Sequence, residues 1–194
     1  MRVSWPSLLT ELETCQRCGL SGTRRHVVPG EGNPNSPLLL IGEGPGAEED
    51  RLGRPFVGAA GVLLTKMLGA IGLTREQVYI ANVVKCRPPG NRTPTAAEAG
   101  ACLPFLRAQA ALIRPSVIVL LGATALTHVL GEEYRITRDR GRFIERRGVF
   151  FMPTFHPAAL LRDELKKQPA WEDFKAVRDK MKALGVFPAE GGRP

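Results

Sequence analysis

Four near-continuous apolar, β-rich runs alternate along this sequence with helix-period segments. That alternation predicts an α/β fold: a single-domain three-layer α/β/α sandwich with a central four-stranded parallel sheet. The runs are 37–42 (PLLLIG), 78–86 (VYIANVVKC), 116–122 (SVIVLLG) and 149–155 (VFFMPTF). Strands covered on both faces read as unbroken apolar stretches, whereas a strand with one wet face would alternate. Helical periodicity falls at 59–71, 95–113, 123–130 and 170–184. Thr95-x-x-Glu98 has the form of a capping box at the head of the second of these. Two long Gly/Pro-rich loops, 43–58 and 87–94, follow the first two strands, and His156-Pro157 follows the fourth. Open α/β sheets hold ligands at the carboxyl ends of their strands, so these segments define one candidate rim. Residues 1–187 are expected to form the domain and 188–194 a loose tail.

Composition narrows the function classes. The 194 residues are 43% hydrophobic and 24% charged, as in an ordinary globular protein, and no apolar run approaches the length of a membrane span. The N-terminus, MRVSWPSLLTELETC, lacks the architecture of a secretory signal, which gives a cytoplasmic reading with no membrane attachment. The net charge is +8, and 20 of the 27 basic residues are Arg. Arg grips phosphate oxygens in pairs, so nucleic acid is one partner class; an anionic membrane surface or an acidic protein are others.

The four cysteines carry a sharper signal. Cys15-Gln-Arg-Cys18 is a C-x-x-C pair, while Cys86 and Cys102 lie on either side of the second long loop. In a reducing compartment four thiols favour a metal site over two disulfides. Zinc and an iron–sulfur cluster both fit by spacing, although a zinc ribbon would more often close with a second C-x-x-C. Unrelated buried thiols are the plain alternative.

On the candidate rim, Gly42-Glu43-Gly44-Pro45-Gly46 superficially resembles a phosphate cradle. It lacks G-K-[ST], and Glu48, Glu49 and Asp50 would repel a phosphate. It reads better as a turn whose backbone approaches a flat neutral ligand, or as a plain strand-to-loop turn. Phe56, between Pro55 and Gly58, presents its face to a ligand or plugs the core. Asn82 is the polar exception in an apolar strand and has both a donor and an acceptor for a base edge. His156 sits on the same rim.

Taken together these segments resemble the family 4, iron–sulfur uracil-DNA glycosylases. The resemblance rests on Cys15-Gln-Arg-Cys18, GEGPGAEEDRLGRPFVGAAG (42–61), YIANVVKCRPPGNR (79–92), Cys102 and FHPAALLR (155–162), in the family's order and spacing. It implies a [4Fe–4S] cluster on Cys15, Cys18, Cys86 and Cys102. It also implies a uracil pocket: Gly42, Glu43 and Gly44 line the base, Phe56 stacks on it, Asn82 reads its O4 and N3 edge, and His156 faces O2. Glu43 and His156 are the catalytic candidates, Glu43 as water-ordering or electrostatic group. Gly44 stands where the best-known relatives carry an Asp. Glu49 is the candidate for closing the side that refuses the thymine methyl.

Flipping the nucleotide from DNA calls for a wedge and phosphate anchors. The segment 157–162 is expected to act as a wedge loop through Leu160 or Leu161, unless both leucines face the core of a helix. Arg87, Arg92 and Arg162 are the candidate phosphate contacts. The expected activity is monofunctional uracil-DNA glycosylase, acting on uracil in double- or single-stranded DNA as a monomer. A broader-range deaminated-base glycosylase and a non-catalytic iron–sulfur DNA-binding module are the alternatives.

Overall fold

A computed structural model describes residues 4–188; residues 189–194 of the expected tail lie outside that range. Strand runs and helices fall close to where periodicity puts them. The parallel strands are β2 (Leu38–Gly42), β3 (Tyr79–Asn82), β4 (Val117–Leu121) and β6 (Val149–Thr154). The sheet has six strands rather than the expected four. Two-residue β1 (Glu31–Gly32) pairs antiparallel with β3, and three-residue β5 (Ile144–Arg146) pairs antiparallel with β6. The order is β1-β3-β2-β4-β6-β5, so the four predicted strands form its parallel centre. The short edges carry no apolar run, and they cap the hydrogen-bonding rows that β3 and β6 would otherwise expose. Pro153, which cannot donate to a ladder, lies in β6 beyond the reach of β5.

Side-chain alternation along the central strands splits the core in two. Leu39, Ile41, Ala81, Ile118 and Leu120 face one layer, with α1 (Trp5–Glu13), α4 (Ala96–Ile113) and α5 (Ala123–Leu130). Leu38, Leu40, Ile80, Val117 and Val119 face the other, with α3 (Ala59–Ala70), α7 (Pro157–Arg162) and α8 (Lys167–Ala183). The three-layer sandwich is therefore as expected. α1 was not anticipated. It starts at a Ser4/Ser7 capping box and buries Leu8 and Leu12, one turn apart, which brings it against α4.

Three local expectations are corrected. The second strand ends at Asn82, not Cys86, although Val83 and Val84 still donate to Gly42 and Glu43 carbonyls (2.9 and 3.1 Å). The expected 43–58 loop contains a short helix, α2 (Ala47–Leu52), stopped by Gly53 in the left-handed region (φ 69°). The segment 157–162 is not a loop but α7, begun by Pro157 at its first position. Leu160 is buried at 2% exposure, which removes it as a wedge, while Leu161 is 50% exposed. A last short helix, α6 (Ile136–Asp139), precedes β5. No helix among the described residues is long and apolar enough to cross a membrane.

Candidate active site and cysteine site

The carboxyl ends of all four parallel strands open onto one cleft of about 560 Å³. The end of β2 supplies Glu43 and Gly44, the end of β3 Asn82, the end of β4 Gly122 and Thr124, and the end of β6 His156; Phe56 closes it from the loop before α3. To the three segments that the sequence predicts for this rim the structure adds a fourth, 122–124, which carries the same strand–Gly–helix signal.

Asn82 is 2% exposed, and its buried Oδ1 has no hydrogen-bond partner among the described residues. A buried amide oxygen left unpaired is costly, so a site that retains one is built for an arriving donor. Gly42 makes room for it. A Cβ at 42 would lie 2.4 Å from Asn82 Oδ1 and 2.6 Å from Phe56 Cζ. The absence of a side chain therefore lets the Asn82 amide and the Phe56 ring pack directly against the Gly42 backbone at the cleft.

Phe56 is held in the left-handed region (φ 52°), where a non-glycine residue is strained by about 1–3 kcal/mol. Arg75 supports it from beneath. Its guanidinium donates to the carbonyls of Pro55 (2.7 Å) and Phe56 (2.9 Å) while paired with Glu31. Gly61 lets α3 approach: a Cβ there would be 1.9 Å from the Phe56 carbonyl oxygen. The Phe56 ring lies stacked beside His156, centroids 5.5 Å apart.

His156 caps α7, with Nδ1 accepting from the Ala158 N–H at 3.1 Å. An imidazole that accepts at Nδ1 carries its proton on Nε2, leaving that N–H as donor. Burial, with Arg162 nearby, pushes the His156 pKa down to about 4, so the ring is neutral near pH 7. Gly122 (φ 93°) permits its approach, since a Cβ there would meet His156 Cβ at 3.0 Å.

Two acids on the cleft have defined partners. The Glu43 carboxylate accepts from the Thr124 hydroxyl at the head of α5. Glu49 binds the loop to itself: Oε1 accepts from the N–H groups of Val57 and Gly58 (2.9 Å each), and Oε2 from Gly46 (3.1 Å). Sequence reasoning gave Arg75 and Thr124 no role, and nothing in their local pattern marks side chains that act on a distant turn.

The basic candidates separate. Arg92 and Arg162 line the cleft, whereas Arg87 bonds Asn91 Oδ1 (2.7 Å) within its own loop. Arg92 also pairs with Glu98 at 2.7 Å, tying the loop to the capping box of α4.

The cysteines form a second site. Cys15, Cys18, Cys86 and Cys102 all line one tight cavity between the end of α1, the chain after β3 and the first half of α4. Arg24 Nη1 donates to Cys86 Sγ (3.2 Å) and the Lys85 N–H to Cys102 Sγ (3.3 Å). Burial pushes the Cys102 thiol up to about 11 and raises that of Cys86, so a metal bound there would displace their protons. Among the described residues no three His, Cys, Asp or Glu side chains converge on a single metal ion. One tetrahedral zinc would draw its sulfurs to about 3.8 Å from each other. A multinuclear cluster spans more widely separated thiolates, and Arg17, Arg24 and Lys85 around the cavity offset their excess negative charge. Four thiols with basic neighbours in one cavity are a donor set that could hold an iron–sulfur cluster.

Comparison with known proteins agrees with this geometry. The family model for the Uracil DNA glycosylase superfamily matches residues 29–175. A type-4 uracil-DNA glycosylase of Thermotoga maritima is 48% identical over 90% of this chain and 93% of its own length. One of Archaeoglobus fulgidus is 43% identical over 90% and 92%. A type-5 uracil-DNA glycosylase of Pyrobaculum aerophilum is 33% identical over 69% and 66%. With a cleft that offers an amide, an aromatic face and a neutral imidazole, and four cysteines beside it, the chain belongs to the type-4 branch of the uracil-DNA glycosylase superfamily.

Proposed function

We propose that the protein flips uracil out of DNA and hydrolyses its N-glycosidic bond as a monofunctional uracil-DNA glycosylase, starting base excision repair. The observation that carries this is the unpartnered, buried Oδ1 of Asn82, held beside the Phe56 ring in the cleft by the bare backbone of Gly42. Uracil N3–H donates to that oxygen while the Asn82 amide donates to O4. Cytosine offers a donor where uracil has O4, so it leaves buried groups mispaired, a mismatch of large kinetic consequence. Phe56 provides the face on which the pyrimidine stacks. Glu49, immobilised by three backbone donors, supports a rigid wall against a 5-methyl group.

Cleavage leaves negative charge on the departing uracil and positive charge on the sugar. The neutral His156 Nε2–H donates to O2, and that bond strengthens as charge develops, so it lowers the barrier more than it tightens binding. Glu43, its carboxylate oriented by Thr124, holds the attacking water and faces the cationic sugar. An oxocarbenium-like sugar needs a placed water more than a strong base. Leu161, at the exposed face of α7, takes the space left in the base stack, and Arg92 and Arg162 contact flanking phosphates, with Arg87 shaping their loop.

Cys15, Cys18, Cys86 and Cys102 hold a [4Fe–4S] cluster in this reading. When bound, it cross-links the N-terminal segment, the chain after β3 and α4. The substrate is uracil in double- or single-stranded DNA, flipped most readily opposite guanine because a mispair costs less to open. The protein acts as a monomer in the cytoplasm. Incubation with a uracil-containing oligonucleotide, followed by alkali, is expected to cut the strand at the uracil. An intact strand together with tight binding would favour a non-catalytic iron–sulfur DNA-binding module. Release of hypoxanthine or mismatched thymine at comparable rates would instead favour a broader-range glycosylase.

A further inference from the structure

Lys85 is the largest of the fully buried side chains, at 1% exposure, and among the described residues it pairs with no carboxylate. A buried ammonium without a counter-charge is costly, so the fold must use its donors. Lys85 Nζ donates to the main-chain carbonyl of Asn82 (2.9 Å) and to Gln109 Oε1 (2.6 Å). Gln109, itself fully buried in α4, donates onward to the Pro29 carbonyl (2.8 Å). The Lys85 main chain is fixed as well: its N–H points to Cys102 Sγ and its carbonyl accepts from Val28 (2.8 Å).

These contacts fall where β3 ends and the pairing with β2 is running out. The Asn82 carbonyl is drawn inward, toward α4, while its side-chain oxygen stays against Gly42 at the cleft. A carbonyl anchored on one side sets the peptide plane, and with it the direction in which the amide is offered. Lys85 also lines the cysteine cavity, where its main-chain N–H meets Cys102 Sγ.

We propose that Lys85 is a positioning residue for uracil recognition: it clamps the Asn82 main chain to α4 so that the Asn82 amide meets the base edge. The inference rests on the reading of Asn82 as the group that recognises uracil.

The test compares holoenzyme variants by affinity for two oligonucleotides, one carrying 2′-fluoro-2′-deoxyuridine, which resists cleavage, and one undamaged. Lys85→Met keeps the volume and removes the donors. It is expected to lose about tenfold in affinity for the fluorouridine DNA, the value of one charge-assisted hydrogen bond. Affinity for undamaged DNA and iron content should remain those of the wild type. In turnover, KM should rise while kcat changes little. Gln109→Leu should shift the same ratio in the same direction, and Gln109→Glu, which keeps the acceptor, should restore it. If Lys85→Met does not fold, the Gln109 pair carries the test. A wild-type ratio of the two affinities in folded Lys85→Met or Gln109→Leu overturns the inference. So does an equal loss for both oligonucleotides. Wild-type protein with no preference for the fluorouridine DNA, and no uracil release, overturns the reading of Asn82 instead.

Discussion

Asn82 and Gly42 act as a pair, because the side chain at 82 uses the space that 42 leaves empty. Gly42→Ala puts a methyl 2.4 Å from Asn82 Oδ1 and is expected to abolish uracil release while α/β folding persists; cleavage at the wild-type rate would show that the Asn82 amide does not need this placement to hold the base. Asn82→Ala should lower kcat/KM on uracil by about 10²–10³-fold and erode discrimination against cytosine, read as single-turnover release from matched oligonucleotides. His156→Ala should lower kcat by about 10²-fold with little change in KM, the pattern of a transition-state donor. His156 also has a stability signature. Its folded pKa of about 4 lies below the ordinary value of 6.5, so the unfolded chain binds the extra proton between those values. The stability it contributes is complete above pH 6.5 and is lost as pH falls toward 4, with a ceiling of about 3 kcal/mol. Denaturation midpoints measured from pH 4 to 7 should rise with pH in the wild type and flatten in His156→Gln.

Elements matter here mainly through their ends. The 43–58 segment holds its shape because the Glu49 carboxylate links the start of α2 to the start of α3 through three backbone donors, while Arg75 supports Phe56 from the other side. Arg75→Met should release the strained Phe56 backbone, costing about 2 kcal/mol by chemical denaturation and raising KM, since the stacking face is no longer fixed. At the opposite edge, Asp173 of α8 accepts from Thr154 at the end of β6 (2.6 Å) and pairs with Arg140. Removing Asp173 leaves Arg140 and Thr154 without their partner beside His156. Asp173→Ala is therefore expected to cost about 3 kcal/mol and to disturb the His156 rim.

At the scale of the whole molecule, two sites share one wall. The chain from Asn82 to Cys86 faces the cleft at one end and the cysteine cavity at the other, with Lys85 between them. Removing the proposed cluster should thus lower the denaturation midpoint and loosen α1 against α4 in hydrogen exchange, because Cys15 and Cys18 follow directly on α1. The +8 charge acts over longer distances. Phosphate contacts release counterions, so kcat/KM on subsaturating DNA should fall steeply as salt is raised. A flat salt response would assign the basic surface to something else.

The amino-acid sequence determined the parallel centre of the sheet, because strands buried on both faces need unbroken apolar runs, and 37–42 and 116–122 have no other stable environment. It also singled out Asn82, His156 and the four cysteines, residues whose chemistry is conspicuous in apolar surroundings. It did not reveal the two edge strands, which are too short and too polar to carry a pattern. The 157–162 segment was ambiguous in sequence; packing made it a helix and divided its neighbouring leucines, sending Leu160 inward and Leu161 out. The roles of Arg75, Thr124 and Lys85, and the way Glu49 is held, were decided by tertiary structure. Each makes a hydrogen bond to a group distant in sequence, Thr124 to Glu43, Arg75 to Phe56, Glu49 to Val57 and Lys85 to Gln109, and folding brings those partners together.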